Sequence, residues 1–205
     1  MTSVIFCDGA CKGNGYKGAV GGWAFAFWPG PKAYGEPQTA GADKLAFGPG
    51  GEAPTNQRAE LKALLESLIF SKPVAGQVII HTDSQYAMNC TEKWGPAWKK
   101  AGWKRSSGEP LQNLDLIKPL VEEFASLKSR VSLKHVRGHQ TNSSHEAWGN
   151  NWVDRAAVAG ATGIRLTPGP SPSLPGPSPP PFLPNPPSLL KTARPVQADL
   201  RSWFK

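Results

Sequence analysis

The chain is 205 residues long and has only three cysteines, Cys7, Cys11 and Cys90. An odd count without zinc-type spacing argues against a disulfide framework and against a cysteine-based metal site. A reducing compartment suits such a sequence, so an intracellular and not a secreted protein is expected. No apolar run reaches membrane-spanning length, which excludes a helical membrane span. The N-terminus, MTSVIFCDGACKGNG, lacks the basic stretch and apolar run of a signal peptide. Acids are also scarce: 15 Asp and Glu face 23 Lys and Arg, a formal charge of +8. That excess fits a polyanionic partner, most often nucleic acid, although charge by itself equally fits a merely soluble basic protein. There are no internal repeats.

What is present divides into two regions. Residues 1–161 have globular composition. From Thr162 the composition changes, and 12 of the 21 prolines lie between Pro168 and Pro195. Proline removes backbone donors and blocks helix, so residues 162–196 are expected to form an extended, disordered linker. Residues 197–205, QADLRSWFK, end the chain with leucine, tryptophan and phenylalanine.

Within the globular region, VIFC (4–7) reads as a buried strand followed by the loop DGACKGNG. GGWAFAFW (21–28) reads as a second strand, and a third is expected near DKLAFG (43–48). Leu61, Leu64, Leu65, Leu68 and Ile69 recur at helical spacing over 55–71, with Thr55 or Asn56 as the cap. QVIIHT (77–82) is a strand, and 83–94 opens a helix. Further helices are expected near 114–128 and over 148–161, with a strand at 130–136. Long crossovers imply parallel pairing in the later half. The fold class is α/β, a mixed sheet flanked by helices.

Four acids stand where acids are hard to explain. Asp8 follows a buried strand, Glu60 lies early in an amphipathic helix, Asp83 follows VIIHT, and Asp154 sits inside an Ala-rich helix. Singly, each has an ordinary reading: a turn residue, a first-turn acid, an N-cap, or a partner of Arg155. Together, two strand ends and two helices could bring them to one point. Converging carboxylates repel unless a cation lies among them, and an all-oxygen set suits Mg²⁺ or Mn²⁺.

The motifs CDGACKGNG, TNQRAEL, HTDSQY, WGPAWKKAGWK, NLDL, VRGH and NNWVDRAA occur in the order found in type 1 ribonucleases H. Over about residues 2–161 the chain resembles that family. The resemblance implies a ribonuclease H-like fold with a five-stranded sheet. It also implies a monomeric catalytic domain that cuts the RNA strand of RNA–DNA hybrids with two Mg²⁺ ions, leaving a 5′ phosphate and a 3′ hydroxyl. Asp8, Glu60, Asp83 and Asp154 match the catalytic quartet. Asp8 would bridge the two ions, Asp154 would serve the ion of the attacking water, and Glu60 and Asp83 would serve that of the leaving oxygen. His139 matches a loop histidine that assists proton movement or product release. The stretch from His139 to Asp154 is several residues longer than in the shortest members, which leaves His145 as a competitor for that part. Cys11, Gly13, Asn14, Asn56, Gln57 and Gln85 would line the minor groove and read 2′-hydroxyls. Trp94, Lys99, Lys100 and Lys104 would grip the DNA strand, while Trp98 and Trp103 would be mostly structural. Two other classes compete: a hybrid-binding adaptor without chemistry, which would lack one of the acids, and a transposase or resolvase of the same superfold, which would lack the tryptophan–lysine segment.

The spacing of Gln197, Leu200, Trp203 and Phe204 resembles the peptide that binds the replication sliding clamp, PCNA. A single helical turn would bring the three apolar side chains to one side. The proline-rich linker would then be a spacer, and the enzyme would work in the nucleus or wherever DNA is replicated. The ordinary alternative is a frayed tail.

Overall fold

The computed structural model describes residues 1–164 except 15, 106 and 141. The proline-rich stretch beyond 164 and the proposed clamp residues Gln197, Leu200, Trp203 and Phe204 lie outside the described residues. Five strands form one mixed sheet: β1 (Thr2–Lys12), β2 (Val20–Trp28), β3 (Thr39–Lys44), β4 (Gln77–Thr82) and β5 (Val131–His135). Their order is β3-β2-β1-β4-β5. The first three strands are antiparallel neighbours, while β4 joins β1, and β5 joins β4, in parallel. The helices are α1 (Asn56–Ser71), α2 (Gln85–Asn89), α3 (Gly95–Lys100), α4 (Leu114–Leu127) and α5 (His145–Ala161). A π-helical turn, Cys90–Trp94, joins α2 to α3.

Alternation along the strands builds two apolar cores, one on each face of the sheet. Ile5, Cys7, Phe25, Phe27 and Ile80 meet the leucines of α1 and the apolar side of α4. Val4, Phe6, Ala24, Ala26 and Trp28 meet Val153, Ala157 and Val158 of α5. Thr55 caps α1, its hydroxyl accepting from the Arg58 N–H at 3.1 Å. The sheet, flanked by helices, is the ribonuclease H-like fold expected from the motifs. No helix among the described residues is long and apolar enough to cross a membrane.

Three boundaries differ from those read in the sequence. The first strand does not stop at Cys7 but runs on to Lys12, because the antiparallel ladder with β2 continues through Asp8↔Ala24 to Lys12↔Val20. Asp8 is therefore a strand residue and starts no turn. The third strand lies at Thr39–Lys44 and not at 43–48, because its ladder with β2 runs from Thr39↔Phe27 to Lys44↔Gly22; just beyond it the Leu45 N–H donates to the Gly21 carbonyl at 2.8 Å. Helix α5 begins at His145 and not at 148, because Ser144 caps it, accepting from the Ala147 N–H at 3.1 Å.

Candidate active site

The parallel β1–β4 register ends at Phe6↔His81. Two residues further on, Asp8 and Asp83 stand side by side at the end of that pairing. Asp8 is only 8% exposed, and its Oδ1 accepts from the Gly9 N–H at 2.7 Å. Gly9 sets the depth of the site. A Cβ there would fall 2.2 Å from the Ala59 carbonyl carbon and 2.3 Å from the Glu60 nitrogen. Only a hydrogen lets α1 press on β1 at this point, which carries Glu60 to Asp8. The Glu60 Oε2 accepts from the Ser84 hydroxyl at 2.5 Å. Ser84 also caps α2 by accepting from the Ala87 N–H at 3.1 Å. On the far side, the Asn150 amide donates to Asp83 Oδ2 at 3.4 Å. Gly138 sits against the same carboxylate: a Cβ there would lie 2.6 Å from Oδ2. The loop carrying His139 is thereby held over Asp83, and His135 Nε2 fixes the Asp83 backbone by donating to its carbonyl at 3.1 Å.

The electrostatics of the four acids are those of a shared cluster. Burial pushes the Asp8 carboxyl well above the ordinary carboxylate range; the charges of Asp83, Asp154 and Glu60 push it further, and the Gly9 N–H opposes them. Burial also raises Glu60, opposed by the Ser84 bond and reinforced by Asp83. Asp154 is raised by burial and by Asp83, while His139 and Arg155 pull it down. None of the four forms an ion pair with Lys or Arg among the described residues. Among the same residues, no group of three His, Cys, Asp or Glu side chains is set tightly enough to hold a metal as it stands. That spacing and the mutual coupling are compatible. Burial and the charges of Asp83, Asp154 and Glu60 all raise Asp8 at that spacing. Four oxygen-bearing acids with no protein cation among them fit a hard divalent ion.

His139 and His145 occupy different surroundings. The charge of His139 acts on Asp154, and the residue has a left-handed backbone, φ 51°. His145 turns away: its ring lies 6.1 Å from buried His81 and 6.3 Å from Tyr34, and its Nε2 is 3.4 Å from Glu146.

The residues expected to read the hybrid are only partly gathered. The Asn14 side chain accepts from the Asn56 N–H at 2.9 Å, tying the loop of Gly13 to the start of α1. Gln85 lies one turn from Asn89, and its amide donates there at 3.5 Å. Cys11 departs from expectation. It is buried, pairs from β1 with Gly21 of β2, and turns its thiol toward the Lys12 carbonyl, so it offers the groove little side-chain surface. Trp94 stacks at an angle on Trp98, 6.1 Å between centroids, and meets Tyr86 at 6.2 Å. With Gln57 and Arg105 these rings line an open cavity of about 470 Å³. Trp98 and Trp103 pack on the core. Lys99, Lys100 and Lys104 are exposed beside them, Lys99 3.8 Å from Glu122.

Sequence reading missed the groups that steady the acids. Ser84 and Asn150 are visible only as neighbours of motif residues. Buried Arg58 holds Asp115 through two nitrogens, at 3.0 and 2.5 Å, and touches Asn113 at 3.3 Å. Asn113 in turn donates to the Tyr86 hydroxyl at 3.2 Å. Both partners lie in the quoted motifs TNQRAEL and NLDL, but their pairing across the fold is a tertiary fact.

A five-stranded mixed sheet with an acidic cluster at the end of its central parallel pair defines the ribonuclease H-like class. The solved structures agree: the PFV RNase H domain superposes with a TM-score of 0.63 at 23% identity, over 78% of this chain and 94% of that one. A foamy viral protease–reverse transcriptase in complex with an RNA/DNA hybrid gives 0.61 at 19%, over 78% of this chain and 20% of that one. The RNase H family matches residues 1–162, and the chain belongs to it. Among its relatives, the Ribonuclease H of Janthinobacterium sp. (strain Marseille) is 35% identical over 157 residues, 75% of this chain and 96% of that protein. The molecule is accordingly an enzyme, a ribonuclease H.

Proposed function

We propose that this ribonuclease H hydrolyses the RNA strand of RNA–DNA hybrids with two divalent ions, Mg²⁺ or in its place Mn²⁺, and leaves a 5′ phosphate and a 3′ hydroxyl. One observation carries the reading. Asp8 is buried, its carboxyl is raised by three neighbouring acids, and no protein cation pairs with any of the four among the described residues. A structural role would leave such a cluster paired or replaced by apolar groups. Asp8, Glu60, Asp83 and Asp154 would hold the ions. When bound, the ions supply charge neutralisation at the phosphate and a water acidic enough to attack near neutral pH. The chain's own work is positional. Ser84 and Asn150 orient the Glu60 and Asp83 carboxylates. His139, which lowers Asp154 electrostatically, is assigned to taking or releasing a proton at its imidazole near the reacting phosphate.

Asn14, Asn56, Gln57 and Gln85, with the Gly13 loop, are assigned to the minor groove, where amides match the donor-and-acceptor 2′-hydroxyl. Trp94, Lys99, Lys100 and Lys104 are assigned to the DNA backbone. Support for a hybrid as substrate comes from the relatives named Ribonuclease H and from the foamy viral neighbour in complex with an RNA/DNA hybrid. The residues Gln197, Leu200, Trp203 and Phe204 are assigned to a sliding clamp of the PCNA kind, through which the enzyme would be recruited to DNA replication. Calorimetry of a peptide covering 191–205 against the clamp tests that part; micromolar binding lost in Leu200→Ala is expected, and no binding removes it. The test of the whole reading is cleavage of a labelled RNA–DNA hybrid beside matched RNA–RNA and DNA–DNA duplexes, with and without Mg²⁺. Cutting of the hybrid's RNA alone, and only with the ion, is the expected result. Equal cutting of all three duplexes would refute it.

A further inference from the structure

The early start of α5 builds a second feature beside the acids. His145 opens the helix nine residues ahead of Asp154, and these first turns are firmly seated. Gly149 lies on Phe6, where a Cβ would come within 2.5 Å of the ring. The Trp152 indole N–H donates to Glu36 at 3.3 Å, and its ring meets Trp28 edge-on at 6.4 Å. The Trp148 indole N–H donates to the Gly35 carbonyl at 3.1 Å, yet 47% of Trp148 is exposed. That ring is fixed at its polar end while its face stays in solvent, an arrangement the apolar core does not require. Trp148, Asn151 and Arg155 follow at i, i+3 and i+7 and share one side of the helix. Arg155 is exposed, and its Nε donates to the Asn151 carbonyl at 3.1 Å. The two terminal guanidinium nitrogens have no acceptor among the described residues. Beside these groups lies an open cavity of about 400 Å³, lined by Trp148, Asn151, Asp154 and Arg155 of the helix and by residues 142–144 of the loop before it.

We propose that this side of α5 is a subsite for the strand being cut, taking a ribonucleotide next to the scissile phosphate, with its sugar and base against the Trp148 indole and its phosphate on Arg155. The proposal rests on the assignment of Asp154 to cleavage of RNA, because a cavity that shares Asp154 lies along the strand whose phosphate meets the acids. The chemistry of the walls favours a nucleotide over a small anion. An isolated anion would gain Arg155 and face the Asp154 carboxylate, whereas a nucleotide adds an aromatic surface on which any base or ribose stacks. Guanidinium and phosphate form paired, charge-assisted hydrogen bonds. A stacking contact of this kind also tolerates any sequence, as an enzyme acting on arbitrary RNA requires.

The test uses the full chain. Binding of a labelled hybrid is measured with Ca²⁺ in place of Mg²⁺, and cleavage with Mg²⁺, for wild type, Trp148→Ala, Trp148→Phe and Arg155→Gln. One hybrid is blunt and the other carries unpaired RNA beyond the duplex. Trp148→Ala and Arg155→Gln should each weaken binding about tenfold and raise KM more than they lower kcat. Trp148→Phe should recover most of the loss. A defect on both substrates places the subsite nucleotide within the hybrid; a defect confined to the overhang substrate places it in the unpaired RNA. Unaltered binding and KM in Trp148→Ala on both substrates would overturn the proposal, as would a Trp148→Phe variant that folds like wild type and binds as poorly as Trp148→Ala. A wild-type enzyme that cuts neither hybrid would instead refute the functional reading on which the subsite depends.

Discussion

The acidic corner and the tryptophan–lysine segment at 94–105 are both assigned to the same substrate, but they are built in opposite ways. The corner is assembled from β1, α1, β4 and α5, so each acid is placed by contacts far apart in sequence. Asp8 is buried and the other three acids are half-buried, and burial with neighbouring acid charge raises Asp8, Glu60 and Asp154. The segment is local. Trp94 and Trp98 meet across one turn, Lys99 and Arg105 each pair with an exposed acid, and the lysines stand in water. Buried, coupled charge carries chemistry and costs stability; exposed, independent charge carries affinity and costs almost nothing. Substitutions in the two regions should therefore differ in kind as well as in size.

The largest effect should come from Asp8→Asn. A neutral amide in the most buried position of the cluster should reduce hybrid cleavage at least a hundredfold, about 2.7 kcal/mol or more of barrier, while hybrid binding in Ca²⁺ survives. Residual activity above that level would dissolve the distinction between the two regions. Next is the buried ion pair between α1 and α4. Arg58 is 4% exposed and its Asp115 partner a quarter exposed, and the guanidinium holds the Asp115 carboxyl below its ordinary value. Arg58→Ala should cost about 3 kcal/mol of stability, read by denaturant unfolding, because it strands a partly buried carboxylate. A cost under about 1 kcal/mol would make this an ordinary surface pair.

A pH effect of intermediate size separates the regions further. Burial, together with Lys134 and His145, lowers the His81 pKa from 6.5 to about 4. Below pH 6.5 the unfolded chain takes up a proton that the folded His81 refuses, so stability is lost as pH falls from there toward about 4. His81→Gln should flatten that limb of the stability curve. Equal slopes in the two proteins would place the acid sensitivity elsewhere. The smallest change concerns the exposed segment. Replacing Lys99, Lys100 and Lys104 together with Ala should leave stability nearly unaltered and lower the slope of log K against log salt by up to about three units. An unaltered slope would move the DNA path off this surface.

The same contrast governs what the sequence disclosed. The helix at 55–71 and the strand at 77–82 were legible because apolar spacing and capping residues are local signals. The motif order singled out four acids whose charges meet at Asp8 in the structure. The extension of β1 through Asp8 was not legible, because Gly9 and Ala10 have no strand propensity of their own and are held extended by the ladder with β2. The edge strand at 39–44 was misplaced for a related reason: it pairs with β2 although its sequence, TAGADK, is weakly apolar. Helix α5 starts early because Ser144 caps it, a local signal that lies upstream of the NNWVDRAA motif. The seating of Trp148 on the Gly35 carbonyl joins residues more than a hundred positions apart and had no local trace.

The central claim is that the four acids form a site for divalent cations whose mutual repulsion the metal-free protein must bear. Raised carboxyls bind protons in the folded state at pH values where the unfolded chain has released them. Without metal, the contribution of these acids to stability is therefore largest on the acid side of the raised values and falls as pH rises through them, opposite in sign to that of His81. Thermal unfolding of wild type and Asp8→Asn, with Mg²⁺ varied at constant ionic strength and neutral pH, tests this most directly. The account predicts that Asp8→Asn melts higher than wild type without metal, by roughly 2–4 °C for each kcal/mol relieved. It also predicts that Mg²⁺ raises the wild-type melting temperature far more than that of the variant. A variant that melts no higher than wild type and responds equally to Mg²⁺ would contradict it.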